Sequence, residues 1–148
     1  EYCLILFSSA LEFKDIIKIK MSTLIIDAAK EKIFLMIIKS KNIYSSCHEN
    51  SKTNYEKLTI LINEFLKTND LKIDDISKLY VNRGPGSFAG IRNSLAVCKG
   101  IHLAKKIDYY CFSFGDFDVS NKDNYENIPS LCDKLKVKKN LINLIYLS

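Results

Sequence analysis

The sequence predicts an α/β fold in which helices are layered on a mixed β-sheet. Three short apolar runs separated by tight polar turns come first, an amphipathic helical segment follows, and two further apolar runs alternate with a second helical segment. Runs joined by tight turns form an antiparallel meander, whereas runs separated by a helix usually pair in parallel. The predicted order of elements is therefore βββαβαβ.

Length and composition limit this fold to one globular domain, or to one domain with an appendage. The chain has 148 residues, of which 47% are hydrophobic and 26% are charged, so disorder throughout the chain is excluded. No apolar run approaches the roughly 18 residues that a membrane span needs, and we expect no membrane-spanning helix. The first methionine is Met21, directly before the first strand. We expect residues 1–20 to be an extra N-terminal segment, separate from the 128 residues that follow.

Charge and cysteine content argue against a nucleic-acid-binding surface and against a disulfide-rich protein. The net charge of +5 comes from 20 lysines and only two arginines. This ratio indicates a composition bias more than a nucleic-acid footprint, because bidentate contacts to bases and phosphates favour arginine. The five cysteines are odd in number and no pair has the spacing of a metal knuckle. We therefore expect reduced thiols and a cytoplasmic location, without a disulfide framework.

The predicted meander begins at Met21. Residues from Met21 to Asp27 form a strand that ends on a carboxylate, and Ile33 to Ile38 is a continuous apolar run, typical of a strand buried on both faces. A third strand is predicted at Ile43 and Tyr44, and residues 48–52 are predicted to form a polar loop. The antiparallel part of the sheet is thus expected within the first third of the chain.

The first helix has the clearest start signal. Thr53 and Glu56 have the S/T-x-x-E spacing of a capping box, and the helix is predicted to end near Asn69 and Asp70. A short capped turn at residues 74–76 and a fourth strand at residues 78–82 follow. The apolar residues of the helix recur at i, i+3, i+4, i+7 and i+8, as in a helix packed on one face: Leu58, Leu61, Ile62, Phe65 and Leu66.

The second helix is predicted to follow a glycine-rich loop and to end near Lys105. Ala96, Gly100 and Ala104 are four residues apart and form a ridge of small side chains, which allows another backbone to approach closely. Two interpretations stay open: the ridge packs on the chain's own sheet, or it packs on a partner helix. The neighbouring stripe of the same helix consists of larger side chains: Ile91, Leu95, Cys98 and His102.

The pattern weakens after the predicted fifth strand, which covers residues 109–114. Asn127 is predicted to begin a short helix, and residues 141–147 are predicted to form a last short strand. His48 and His102 are the only histidines, and neither has a partner at i+4. A metalloprotease site needs two or three such ligands, so no metal site is predicted.

The loop before the second helix is the most informative motif, Gly84-Pro85-Gly86-Ser87-Phe88-Ala89-Gly90-Ile91-Arg92. It matches neither the Walker loop nor G-x-G-x-x-G, because no Gly-Lys-Ser/Thr follows and Gly90 comes one position too late. Glycine permits positive φ and close backbone approach, and a helix N-terminus favours an anion. An anion site and a tight strand-to-helix corner are equally compatible with these residues. Ser87 lacks the G-x-S-x-G order of a nucleophile elbow.

Together with the strand ending at Asp27 and the first helix, this loop resembles the TsaB (YeaZ-like) family of tRNA threonylcarbamoyladenosine biosynthesis proteins, also described as glycoprotease-like. The family loop reads GPGSFTGLR, so this chain differs at Ala89 and Ile91. The family more often has His where this chain has Asn54, and Thr-Ser where it has Ala28 and Ala29. The resemblance covers residues 21–114, and residues 144–148 resemble the family's closing strand.

The resemblance implies an actin-like ATPase (RNase H-like) half-domain over residues 21–115. Residues 116–148 are then a reduced helix-strand remnant of the second half-domain. It also implies a non-catalytic subunit that binds the catalytic subunit TsaD through helices and works with the ATPase TsaE. Their complex modifies adenosine 37 of tRNA, which this subunit meets indirectly. No cofactor is expected beyond a weakly held nucleotide at an interface of the complex. The alternatives are a small ATPase or kinase of the same fold, and a stand-alone homodimer.

The resemblance and the residue patterns together select the candidate site residues. Asp27 occupies the position of the acidic residue of actin-like ATPases, but Ala28 and Ala29 carry no hydroxyl for a phosphate, which favours a hairpin role. Arg92 is predicted to meet a carboxylate of a partner or of its own chain. The corner of the interface half-domain is predicted to comprise Gly84, Pro85, Gly86, Ser87, Phe88, Gly90 and Arg92. The candidate partner surface comprises Tyr55, Ala96, Lys99, Gly100 and Ala104.

Overall fold

Five strands form one mixed sheet in the computed structural model, which describes residues 22–121 and 123–145. The strand order is β3-β2-β1-β4-β5. The first three strands are antiparallel, while β4 pairs in parallel with both β1 and β5. The α/β class and the mixed sheet are thereby confirmed. The strands are β1 (Ser22–Asp27), β2 (Lys32–Lys39), β3 (Asn42–Glu49), β4 (Ile76–Asn82) and β5 (Asp108–Phe112).

Among the described residues, four α-helices connect or follow these strands. The crossover from β3 to β4 contains α1 (Lys52–Glu56) and α2 (Leu58–Thr68), the crossover from β4 to β5 is α3 (Phe88–Lys105), and α4 (Ile128–Lys134) follows the sheet. In the part of the chain that the structure describes, no helix is both long enough and apolar enough to cross a membrane. The predicted extra segment, residues 1–20, lies outside the described residues.

The third strand and the first helix differ from the sequence predictions. β3 pairs with β2 residue by residue as far as Lys32 and Glu49, so His48 belongs to the strand and not to a loop. The residue that caps α1 is Ser51, whose hydroxyl accepts a hydrogen bond from the backbone N–H of Asn54; the predicted Thr53 cap is wrong. The segment then breaks at Lys57 into two helices. A polar strand at the sheet margin has no apolar pattern, which explains the first error.

The C-terminal prediction is wrong in one respect. Residues 141–145 contain no strand, and the remaining residues of the predicted strand, 146 and 147, lie outside the described part. An isolated bridge joins Lys139 to Tyr110, and β5 ends at Phe112, two residues before the predicted end. Asn127 does precede α4, but its side chain makes no capping hydrogen bond. The division of the chain at residue 115 stays a prediction.

The two faces of the sheet bury separate hydrophobic clusters. One face is covered by α2 and α3, and its cluster contains the predicted helix residues Leu58, Ile62, Leu66, Ile91 and Leu95. The other face is covered by the segment after β5. That second cluster is centred on Ile25, Tyr80, Phe112, Ile128 and Cys132, with several aromatic residues at its margin.

A glycine corner and an exposed helix face as candidate functional site

The glycine-rich loop fits closely against the turn between β1 and β2. A Cβ atom added to Gly86 would collide with the carbonyl oxygen of Ala29, and one added to Gly90 would collide with that of Ala28. The backbone N–H of Ser87 donates to the Ala29 oxygen at 2.8 Å. Because neither carbonyl is the end of a flexible side chain, both positions require glycine. The loop is a tight corner that joins β4, α3 and the β1–β2 turn.

Gly84 meets a different constraint at the start of the same loop. Its φ of +105° lies in a region that L side chains rarely adopt, and an added Cβ would collide with the carbonyl oxygen of Ile145. Its N–H donates to the side-chain oxygen of Asn82 at 2.9 Å. The loop therefore also holds the C-terminal end of the described chain.

Ser87 ties the start of α3 to α1. Its hydroxyl accepts the Gly90 N–H at 3.3 Å and shares a hydrogen bond of 2.7 Å with the phenol of Tyr55. The Ser87 carbonyl accepts the N–H of Ile91 at 2.9 Å. These contacts use the N–H groups of Ser87, Gly90 and Ile91 within the chain, which favours the corner interpretation over an anion site. Tyr55, a predicted partner-surface residue, lies half-buried in this corner.

Asp27 is fully buried at the end of β1. One carboxylate oxygen accepts the Ala29 N–H at 2.9 Å, and the other accepts the Asn82 amide at 3.0 Å and the Tyr125 phenol at 2.7 Å. Burial, and then the charge of Asp27, raises the pKa of Tyr125, so this phenol stays protonated and remains a donor. Asp27 thus joins β1, β4 and the segment after β5.

A second link to the C-terminal segment starts at Arg83. Its guanidinium contacts both carboxylate oxygens of Asp116, at 2.9 and 2.8 Å, and donates to the carbonyl of Asn143 at 3.2 Å. Lys30, in the β1–β2 turn, pairs with Asp123 and lies 4.5 Å from the ring centroid of Phe114. Ionic contacts therefore also join the residues that follow β1 and β4 to the segment after β5.

The small-residue ridge of α3 faces outward. Ala96, Lys99, Gly100 and Ala104 are exposed, and a Cβ added to Gly100 would meet no atom within 4 Å. The side of α3 that faces the sheet carries Ile91, Leu95 and Cys98, as the predicted stripe indicates. An open groove of about 530 Å³ runs along the ridge, and its largely apolar lining includes Ile73, Ala96, Val97, Gly100, Ile101 and Ala104.

The remaining candidates are dispersed. His102 is partly buried, with its Nδ1 atom 2.9 Å from the carbonyl oxygen of Ile107, whereas His48 lies on β3. The guanidinium of Arg92 stacks over the exposed ring of Phe88, 5.2 Å from its centroid, and pairs with no carboxylate among the described residues. Within residues 22–121 and 123–145, no group of three or more potential metal ligands occurs.

Sequence reasoning missed Asn82, Arg83, Asp116 and Tyr125. Asn82 and Arg83 immediately precede the glycine loop, and a polar pair at the end of a buried strand is a signal that was available. Asp116 and Tyr125 lie in a polar segment without periodicity, and Tyr125 is 98 residues from Asp27. Nothing in the local sequence indicates such a contact.

Comparisons with known proteins relate this chain to proteins of tRNA threonylcarbamoyladenosine biosynthesis. The family model for TsaD, tRNA N6-adenosine threonylcarbamoyltransferase, matches residues 46–114. Two proteins from Buchnera aphidicola, both named tRNA threonylcarbamoyladenosine biosynthesis protein TsaB, are 35% (strain Bp) and 28% (strain Sg) identical. They align with 44% and 61% of this chain and with 34% and 43% of their own lengths. The chain thus spans well under half the length of these curated relatives.

Solved structures define the class of fold. YeaZ from Pseudomonas aeruginosa superposes with a TM-score of 0.58 at 18% identity, covering 62% of this chain and 43% of that one. A second Pseudomonas aeruginosa structure, of an uncharacterized protein with similarity to peptidase YEAZ, gives the same values. Over the residues covered, the chain shares the α/β fold of YeaZ, an actin-like ATPase fold. Together with the two relatives named TsaB, these matches show that the chain is similar to TsaB and YeaZ proteins.

Proposed function

We propose that the chain is a non-catalytic subunit of a TsaD-containing complex that forms N6-threonylcarbamoyladenosine at position 37 of tRNA. The observation that carries this proposal is the exposed ridge of Ala96, Gly100 and Ala104 beside an apolar groove. Small residues let a second helix approach closely, and an apolar groove rewards its burial. The similarity to two proteins named TsaB supports the pathway.

A non-catalytic role is supported by how the candidate catalytic groups are used. Both carboxylate oxygens of Asp27 are hydrogen-bonded inside the fold, and the Ser87 hydroxyl serves as a helix cap and binds Tyr55. A catalytic carboxylate or nucleophile has to reach a substrate atom. In this proposal, the TsaD-like partner supplies the chemistry, a TsaE-like ATPase acts with the pair, and this chain meets tRNA through them.

The two sides of α3 have different roles in this proposal. The larger side chains of α3 pack on the sheet, so the helix is rigidly held while its small-residue side stays open. Lys99 and Arg92 flank the open side and add positive charge there. A partner helix with small or apolar residues and a peripheral carboxylate fits this surface best.

Co-purification of the full chain with the TsaD-like subunit of the same source tests the proposal. Gly100→Leu, which fills open space and leaves the core untouched, is expected to weaken the complex at least tenfold. Lys134→Leu, at an exposed position of α4, is the matched control and should leave it unchanged. Failure of the unmodified chain to bind rejects the proposed function. Binding that tolerates Gly100→Leu keeps the function and rejects the α3 surface.

A further inference from the structure

The two edges of the sheet differ in what covers them. At the β5 edge, the backbone N–H of Asn140 donates to the Tyr109 carbonyl at 2.7 Å, and the Asn140 side-chain oxygen accepts the Tyr109 N–H at 3.0 Å. At the β3 edge, the residues of β2 are the only described residues that bond to the backbone of residues 43–48. The outer backbone groups of β3 are therefore open to a partner among the described residues.

Hairpin geometry defines which backbone groups of β3 are open. Lys39 and Asn42 flank a two-residue turn, and such a pair exchanges both backbone hydrogen bonds. The alternation directs the N–H and C=O groups of the even-numbered residues toward β2, and those of Ile43, Ser45 and Cys47 away from the sheet. An extended backbone matches such a row of donors and acceptors, whereas the groups of a helix bond within the helix.

The edge strand lacks the features that usually prevent strand addition. Natural edge strands carry lysines, prolines, inward charges or bulges. Residues 43–48 contain no proline, no lysine and no acidic residue, and their pairing with β2 has no bulge. This strand can therefore accept a further strand along its outer side.

A groove of about 370 Å³ lies beside this edge, between β3 and α2. Leu61 and Phe65 of α2 supply its apolar lining, together with the ring of Tyr44, which packs against the helical-face cluster. Ser46 and His48 of β3 supply polar lining and are 3.3 Å apart, measured from Oγ to Nε2. Residues paired across two strands share a face of the sheet. A strand added at this edge therefore points every second side chain towards the groove.

Glu64 gives the groove its charge. Its carboxylate lies on an exposed side of α2, lines the groove and forms no ion pair with any described residue. Neither lysine nor arginine occurs among the described residues that line this groove, although the net charge of the chain is +5. An apolar side chain beside a basic one is the best complement to this lining.

We propose that the β3 edge and the β3–α2 groove together bind an extended segment of another protein. The backbone of that segment pairs with Ile43, Ser45 and Cys47. Two of its side chains, one apolar and one basic and two residues apart, enter the groove beside Phe65 and Glu64. In strand addition of this kind, main-chain hydrogen bonds supply affinity and pockets for alternate side chains supply specificity. The groove of α3 is not used, so this site goes beyond the proposed function.

A palindromic peptide tests the site with the full chain. In fluorescein-TKTVTKT-amide, the residues that face the groove read lysine, valine, lysine in either direction. Fluorescence anisotropy should show saturable binding with a dissociation constant below about 1 mM. The charge-reversed peptide, fluorescein-TETVTET-amide, should bind roughly threefold more weakly. Glu64→Lys should reverse this preference. Glu126→Lys makes the same charge change at an exposed position beside the second hydrophobic cluster, and should leave the preference unchanged.

Two matched N-methylated peptides separate strand pairing from charge attraction. In the paired register the N–H groups of the central threonines face β3, and that of the valine faces away. Methylating the two central threonines should abolish binding, and methylating the valine should change the affinity by less than roughly threefold. Ser45→Pro should also abolish binding. Proline is tolerated on an edge strand where its N–H would face outward, and circular dichroism checks that the variant is folded.

Four results would overturn the proposal. If TKTVTKT shows no saturable binding up to about 1 mM, the edge does not accept this segment, because it is closed to strands or is occupied by another part of the chain or by a second copy. Equal loss of binding for the two N-methylated peptides excludes strand pairing. Equal affinity for the lysine and glutamate peptides excludes the role of Glu64. Binding that is lost in Gly100→Leu belongs to α3, whereas the proposed site keeps its affinity in that variant. Co-purification with the TsaD-like subunit is measured separately and does not depend on these outcomes.

Discussion

The two faces of the sheet are held by different kinds of interaction. On one face, α2 and α3 bury aliphatic side chains that recur with helical spacing. On the other, the segment after β5 adds aromatic rings, such as Phe114, Phe117 and Tyr125, and polar links to Asp27 and Arg83. The first face depends on periodic local sequence, and the second on contacts between distant residues. Substitutions on the first face should therefore destabilise the fold through lost or crowded packing, and those on the second face through lost hydrogen bonds between distant residues.

The largest expected effect concerns the corner that joins the helical face to the β1–β2 turn. Gly90→Ala places a Cβ against the carbonyl of Ala28, which cannot move without distorting the turn. We expect the free energy of unfolding to fall by about 3 kcal/mol or more, measured by urea denaturation.

Gly100→Ala is the matched control in the same helix, because its Cβ would meet open space. Replacing a helical glycine with alanine there should raise the free energy of unfolding by about 0.5–1 kcal/mol. If both variants lose stability equally, the contact between residue 90 and the Ala28 carbonyl does not require glycine, and the contrast between Gly90 and Gly100 is wrong.

The second prediction concerns the polar links of the other face. Tyr125→Phe keeps the ring, which stacks on Phe34 at a centroid distance of 4.1 Å, and removes the hydroxyl that donates to Asp27. A buried carboxylate that loses a donor should lower the free energy of unfolding by about 2 kcal/mol. Tyr110→Phe is the control, since the Tyr110 hydroxyl has no hydrogen-bond partner among the described residues.

A double-mutant cycle then separates a specific link from general loss of packing. Asp27→Asn combined with Tyr125→Phe should cost less than the sum of the two single changes, because the two groups share one hydrogen bond. Strict additivity would mean that Tyr125 stabilises the second face through its ring alone.

The contrast between the two faces of the sheet also explains which features can be predicted from the sequence. The strand and helix order and the buried stripe of α3 follow from periodicity, because the side chains repeat with the spacing of the element. The direction of the small-residue ridge does not follow from it, since the sequence leaves packing on the sheet and packing on a partner equally open. The hairpin role of Asp27 agrees with its contact to Ala29, but its bonds to Asn82 and Tyr125 are long-range. The sequence predicts a loop at His48 because an edge strand buries little surface and shows no apolar pattern. It does not select Ser51 as the cap, because the capping-box signal at Thr53 and Glu56 begins two residues later.

The smallest expected effect lies where the C-terminal segment covers the β5 edge. Hydrogen bonds from Asn140, at 2.7 Å, and Lys139, at 3.1 Å, hold the pKa of Asp108 below its ordinary value of 3.8. A carboxyl group whose pKa is lowered by folding stabilises the fold above its unfolded-state pKa. It loses that contribution as the pH falls through the folded-state value.

Asp108→Asn should therefore reduce the free energy of unfolding at pH 6 more than at pH 3. Because the side chain is one-third exposed, solvent screens the effect, and we expect it to be well below that of Tyr125→Phe. Urea denaturation of both proteins across this range measures the difference, and a difference that grows towards pH 3 would contradict the assignment.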